Sequence, residues 1–456
     1  MQCLQPAASG QLFAYVCFCF APSILLPMNA LFWFRHDLRL HDNAALLKVA
    51  AESQWLLCIY VVDSAWFRPT LYQSKPLGAI RWQFICEALH DLQQQLIRMG
   101  QLLVIRVGQP ETVISELIEA YEIQMIGLNQ VPATYECRAV SSLQKAYQQQ
   151  HWVIGDSFML FAEQQLPFYV QDLPTSFTPF RTRVERIAPL LPAQPPQALP
   201  PSIPSASDLL PTLTQAVPSP HALGFTGGET SGLAQLQYYL HTTQLVSRYK
   251  QTRNGLDGWD FSSKFSPWLA QGCLSARQII AELHAYEVQY GANESTFWLY
   301  FELLWREYFQ WLHCRYGSRM YALRGIRNQN PLLTFYPEAF IAWREGNSDA
   351  PFVNAFMRQL RETGWMSNRG RQIAASYLIN ELGVDWRFGA AWFEEQLIDY
   401  DPASNWGNWQ YLAGVGADPR GRRQFNIAKQ QREYDPTGEF TQRYTVKHHS
   451  SSEGNR

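Results

Sequence analysis

The chain has no CxxC, and only Cys17 and Cys19 of its eight cysteines are close neighbours. That scatter argues against zinc, iron–sulfur and disulfide frameworks, so no metal is expected and a reducing, cytoplasmic compartment is. Charge is sparse as well, at 17% of residues with a formal net of −2. Residues 1–222 carry 13 Lys+Arg against 16 Asp+Glu, and the rest carry 24 against 23. Neither part is basic enough to hold nucleic acid by bulk charge. Any such surface must be a local patch, with Arg315–Arg327 and Arg420–Arg423 as candidates. Long apolar runs are also missing. Leu12–Pro27 lacks a basic start and is too short and proline-broken to cross a bilayer, so no membrane association is expected. Met28 directly precedes a strand-like run, Leu31–Phe34. Residues 1–27 are therefore expected to be an extension of the gene model, with a signal peptide as the rival reading.

Aromatic residues are abundant: 16 Trp, 22 Tyr and 26 Phe, most of them assigned to core packing in a chain long enough for two domains. From 28 to 160 short apolar runs (Leu31–Phe34, Trp55–Val62, Leu102–Val107, Gln124–Leu128, Trp152–Gly155) alternate with amphipathic stretches such as Gly78–Met99 and Glu111–Tyr121. That βαβ rhythm predicts a doubly wound, Rossmann-like parallel sheet. Residues 161–225 read as a connector, because ten prolines fall between 189 and 220. From 226 to 445 the period is helical: Gly232–Tyr249, Ser275–Tyr290, Ser295–Tyr316, Ala350–Glu362, Arg369–Leu382 and Phe388–Leu397. The larger second domain is thus expected to be all-α. Residues 446–456 read as a disordered tail.

Two polar clusters stand out. Asn368, Arg371 and Gln372 fall at i, i+3 and i+4, which a helix turns to one face. About thirty residues on, Asp399, Asp401, Asn405 and Trp409 form a second set. Amides, a guanidinium and carboxylates in a tryptophan-rich chain suit a large planar cofactor held by fixed hydrogen bonds, a flavin foremost. Ser262, Ser263 and Ser266 flank Lys264 and Phe265, and could hold a pyrophosphate through hydroxyl and backbone N–H groups; an ordinary serine-rich loop is the bland alternative. Glu302, Trp305 and Arg306 lie at i, i+3 and i+4, where a surface ion pair beside a core indole is the bland alternative. Gly414–Gly421 imitates a dinucleotide fingerprint. No strand precedes it and Pro419 stands where a helix should begin, so that reading is rejected.

Arg35–Asn43, Tyr249 with Ser262–Ser266, Leu304–Glu307, Ser367–Gln372 and Leu397–Asp401 occur in the order seen in the photolyase/cryptochrome family. Ser404–Trp409 with Gly414–Arg420 most resembles the DASH cryptochrome branch, and the resemblance runs from about Met28 to Tyr444. It implies an antenna-binding α/β domain and a helical domain holding FAD. Tyr249 and Ser262–Ser266 would sit at the phosphates; Asn368, Arg371, Asp399 and Asp401 would line the isoalloxazine; Asn405 would face its N5. It further implies light-driven splitting of cyclobutane pyrimidine dimers in DNA by a monomer. Trp305 would stack on the lesion, Glu302 and Asn368 would contact it, and Arg253, Arg306 and Arg369 would meet the DNA. Gln372 and Tyr411 stand where dimer-repair enzymes acting on duplex carry Met and Trp, which points to single-stranded DNA; a signalling photoreceptor is the rival reading. Trp409 and Trp386 match the two inner members of the family's photoreduction chain, while Leu333 replaces the outer one, leaving Tyr336 or Trp343 as candidate exits. Glu136 lies where relatives hold a folate antenna such as 5,10-methenyltetrahydrofolate; a helix-start carboxylate is the equal alternative.

Overall fold

A computed structural model describes residues 28–203, 224–418 and 420–445. The expectations for residues 1–27 and 446–456 lie outside the described residues.

Five parallel strands, β1 (Asn29–Phe34), β2 (Trp55–Asp63), β3 (Leu103–Gly108), β4 (Met125–Asn129) and β5 (His151–Gly155), form one sheet in the order β3-β2-β1-β4-β5. The intervening helices are α1 (Ala44–Glu52), α2 (Ala79–Arg98), α3 (Pro110–Ala120) and α4 (Thr134–Ala146). Each expected strand is present, and the sheet is covered on both faces, which is why its strands read as apolar runs rather than as alternation. Side chains still alternate between the two faces. Leu31, Trp33, Ile59 and Val61 enter a small core with α3 and α4. Phe32, Phe34, Cys58 and Tyr60 enter a larger one.

That larger core continues into the helical domain through Leu236, Tyr239, Trp268 and Tyr308, so the two domains share packing. Polar ties reinforce the seam. Glu229 accepts from the backbone N–H of Leu40 and His41, and Glu307 from those of Leu160 and Phe161. Arg39 donates to the Gly272 carbonyl at 2.8 Å. Gly272 has φ +68, and a Cβ there would collide with the backbone of His36; only glycine lets the chains approach so closely.

The expected connector is more than a linker. It contains helix α5 (Phe177–Val184), whose Phe177 packs into the helical domain; residues 204–223 are outside the described set. The helical domain comprises α6 (Glu229–Gln237), α7 (Tyr249–Thr252), α8 (Ser266–Ala270), α9 (Ala276–Tyr290), α10 (Glu294–Tyr316), α11 (Pro337–Glu345), α12 (Pro351–Thr363), α13 (Asn368–Asn380), α14 (Trp386–Gln396), α15 (Pro402–Ala413), α16 (Ile427–Tyr434) and α17 (Glu439–Arg443). One expectation fails in detail: Gly232–Tyr249 is not a single helix. After α6 a π-helical turn spans Tyr238–Thr242 and Gln244 adopts φ +52, which redirects the chain before α7. No helix among the described residues is long and apolar enough to cross a membrane.

Candidate functional site

Helix α13 starts where its cap dictates: the Ser367 hydroxyl accepts from the Gly370 N–H at 3.1 Å. Asn368 is exposed on the first turn. Arg371, one turn on, donates to Asp399 Oδ2 at 2.8 Å and to the Met366 carbonyl at 2.9 Å. The Asp399 side chain is 2% exposed, yet its second oxygen, Oδ1, has no partner. Two residues later Asp401 caps α15, accepting from Ser404 N at 2.6 Å. Gln310 of α10 donates to both Asp401 oxygens, at 2.9 and 2.8 Å. Asn405, on the first turn of α15, donates its amide to the Ala390 carbonyl at 3.0 Å. The two clusters read from sequence are thus joined by the Arg371–Asp399 pair, and α10 braces the second.

An aromatic corner lies on the same helices. Trp305 of α10 stacks on Phe177, with centroids 3.8 Å apart and planes at 11°. Tyr411 of α15 stands edge-on to it at 6.1 Å and 88°. The Tyr411 hydroxyl accepts from Arg423, which also pairs with Asp418. Glu302, one turn before Trp305, is paired with Arg253, whose guanidinium lies 5.0 Å from the Trp298 centroid and is also bonded to the Tyr249 phenol. Arg369 donates to the Gln372 amide oxygen at 3.0 Å. Gln372 is therefore held by a neighbouring side chain rather than left free.

In the serine-rich segment, Lys264 has φ +59, an uncommon backbone state for a non-glycine residue. Its ammonium donates to Ser262 Oγ at 3.0 Å and lies 4.3 Å from the Trp365 ring centroid. Burial, only partly opposed by Asp257 and Asp260, brings its pKa down to about 8. Phe265 is buried and packs edge-on against Tyr239 at 5.6 Å, so only its backbone is available to a ligand. Ser263 and Ser266 flank it, partly buried and exposed respectively.

Several expectations need correction. Arg306 points away from the Trp305 corner: it donates to the Phe158 carbonyl at 3.0 Å and lies over the Phe158 ring, tying α10 to the α/β domain. In the supposed basic patches, Arg315, Arg319 and Arg327 donate to the carbonyls of Leu173, Ile326 and Asp418, and Arg423 is bound to Asp418. These guanidiniums brace loops. Trp343 is 0% exposed, with its indole N–H on the Ala374 carbonyl, so it cannot be the last aromatic before solvent; Tyr336, at 54%, is at the surface. Trp386 and Trp409 are both buried. At the antenna position Glu136 is 3.6 Å from His36. Burial raises the Glu136 pKa, but His36 and Arg35 together outweigh that and hold it below the ordinary carboxylate range.

Sequence reading passed over Gln310 and Phe177. Gln310 falls one turn beyond Arg306 on the helix already singled out, a signal that was present. Phe177 comes from a proline-rich connector, where no periodicity marks it.

The donor set fits a flavin on one specific observation: a buried carboxylate oxygen, Asp399 Oδ1, lacks a donor in a site framed by Arg371 and Asp401. A ring carrying N–H beside carbonyl oxygens would supply the one and accept from the other. Comparison with known proteins points the same way. Residues 30–201 match the family model described as DNA photolyase, and residues 298–452 match the one described as FAD binding domain of DNA photolyase. The chain is 45% identical to Cryptochrome DASH of Idiomarina loihiensis, over 91% of this chain and 92% of that protein. It is 48% identical to Cryptochrome DASH of Vibrio parahaemolyticus, again over 91% and 92%. The crystal structure of Synechocystis sp. PCC6803 cryptochrome superposes with a TM-score of 0.86 at 39% identity, covering 92% of this chain and 88% of that one.

Proposed function

Because the chain belongs to the DASH branch of the FAD-binding photolyase/cryptochrome family, we propose that it is a photolyase splitting cyclobutane pyrimidine dimers in single-stranded DNA. The observation that carries this is the Trp305–Tyr411 corner, two aromatic rings at a right angle on the helices that also carry Gln310 and Asn405, with Asp401 capping the second. Two rings set at a right angle suit a stacked base, which signalling by light alone does not require.

When bound, reduced FAD would supply light-driven one-electron transfer to the dimer and back. The residues position and insulate. Arg371, Asp399, Asp401 and Asn405 would hold the ring, and Asp399 Oδ1 would gain the donor it lacks. Tyr249, Ser262, Ser263, Lys264, Ser266 and the Phe265 backbone bind the diphosphate, and an anion there favours the charged form of Lys264 against its burial. Phe177 supports one face of Trp305, so the indole is held rigid for a base. Glu302, oriented by Arg253, and the exposed Asn368 accept from and donate to the base edges. Arg253, paired with Glu302, and Arg369, bonded to Gln372 and Asn254, would meet the DNA backbone.

The preference for single strands follows from the walls. Flipping a dimer from duplex costs a few kcal/mol, and each stacked base returns about 1–3 kcal/mol. Tyr411 offers one small ring with its hydroxyl committed to Arg423, and Gln372 offers an amide committed to Arg369, so the recess returns less than a two-indole apolar one. The test is to illuminate the reduced protein with dimers in single-stranded and duplex oligonucleotides. Repair of the single strand alone is expected, lost with Trp305→Ala at unchanged flavin content. Equal repair of both forms would refute the preference, and repair of neither would favour a photoreceptor.

A further inference from the structure

Leu333 stands where the resemblance places the outer electron-transfer tryptophan, so an electron entering from solvent needs another route. Trp343 adjoins Trp409 at 6.3 Å, but its other close rings, Phe340 at 6.1 Å and Phe393 at 6.1 Å, are phenyl groups that resist oxidation. A different row of oxidisable rings does reach the surface. Trp386 meets Trp406 at 5.8 Å and 75°. Trp406 meets Tyr321 at 4.9 Å and 61°. Tyr321 is 5.7 Å from Tyr135, which is 66% exposed.

Tyrosine oxidation releases a proton that must have somewhere to go. The partly buried Tyr321 phenol interacts with the Thr134 hydroxyl, and Thr134 Oγ1 is 3.1 Å from His313 Nε2. His313 packs edge-on against Tyr321 at 5.4 Å, and its Nδ1 is buried without a partner. Burial, against the opposing pull of Glu136 and Asp401, brings the His313 pKa down to about 4, so the imidazole is neutral near pH 7 and free to take a proton.

We propose that Tyr321 is a redox-active tyrosine: Trp386, Trp406, Tyr321 and Tyr135 carry electrons from solvent to the flavin, and His313 receives the Tyr321 proton through Thr134. Under blue light Trp386 would lose one electron toward the oxidised flavin by way of Trp409, the other inner tryptophan that the resemblance implies, Trp406 would refill Trp386, and Tyr321 would refill Trp406. The Tyr321 phenol loses its proton to Thr134 Oγ1 as Thr134 passes its own hydroxyl proton to His313 Nε2. An external thiol, acting through Tyr135, returns one electron to Tyr321, and the proton moves back. Tyr321 thereby replaces an indole cation with a neutral radical, which slows the return of the electron. This rests on the light-driven reading of the site, and the test separates the two.

FAD-loaded protein containing ring-deuterated tyrosine is flashed with blue light and followed by time-resolved electron paramagnetic resonance. The expected result is a tryptophan radical giving way to a tyrosyl radical whose lines narrow on deuteration. Tyr321→Phe abolishes the tyrosyl signal, and Tyr336→Phe leaves it. His313→Gln, which retains the flavin, slows tyrosyl formation about tenfold and changes its solvent isotope effect. A tyrosyl signal that survives Tyr321→Phe, or vanishes with Tyr336→Phe, overturns the route, as does a tryptophan radical that never passes to tyrosine. Absence of any protein radical overturns this route, while dimer repair by the chemically reduced protein tests the light-driven reading on its own.

Discussion

Replacing Arg371 by Met strands the Asp399 carboxylate, whose side chain is 2% exposed and whose Oδ1 already lacks a protein partner. Breaking a buried ion pair from one side costs about 3–5 kcal/mol. Arg371 is itself 26% exposed, so water can replace part of the pairing and the low end of that range applies. The Met366 carbonyl also loses its donor, which adds about 1 kcal/mol. Arg371→Met should therefore lower the stability of the flavin-free protein by about 4 kcal/mol. Adding Asp399→Asn removes the stranded charge and should recover about half of that loss. The measurement is a four-variant urea series on flavin-free protein, repeated after FAD loading, with intrinsic and flavin fluorescence reporting separately. An Arg371→Met protein within about 0.5 kcal/mol of wild type would refute the reasoning. So would a double variant no more stable than the single.

Two further outcomes are expected. Burial pushes the Glu394 carboxyl up to about 7 against the pull of Arg81, Tyr400 and Trp406. The folded chain therefore keeps this proton longer than the unfolded one, and stability is full below 4.5 and lost as pH rises toward 7. Glu394→Gln should thus leave stability unchanged at about pH 4 and raise it by roughly 2 kcal/mol at about pH 8, a value reduced for the partial exposure of the side chain; equal effects at both would refute this. Arg306→Ala should cost about 2 kcal/mol of stability through the lost Phe158 contacts while leaving the salt dependence of DNA binding unchanged, the reverse of what a phosphate contact would give.

The strands and most helices were legible because their signals are local. Leu31–Phe34 and its successors are continuous apolar runs, and the helices carry period and caps within a few residues of each boundary. Asn368, Arg371 and Gln372 were legible as a set for the same reason, since a helix dictates their common face. Asp399 and Asp401 were legible as neighbours in sequence, but their division of labour was not. Gln310 holds Asp401 across 91 residues and Arg371 holds Asp399 across 28, and no periodicity records such a pairing. Arg306 illustrates the converse: it shares a helical face with Glu302, yet the carbonyl that captures it comes from Phe158 in the other domain. Phe177 arrived from a stretch whose prolines read only as punctuation. The sequence by itself determined the sheet, the helical domain and the chemical types gathered for a flavin. Tertiary structure alone decided which carboxylate is left without a donor, which arginine faces inward, and which aromatic rings line up from Trp386 to the surface, because those outcomes depend on contacts between segments far apart in the chain.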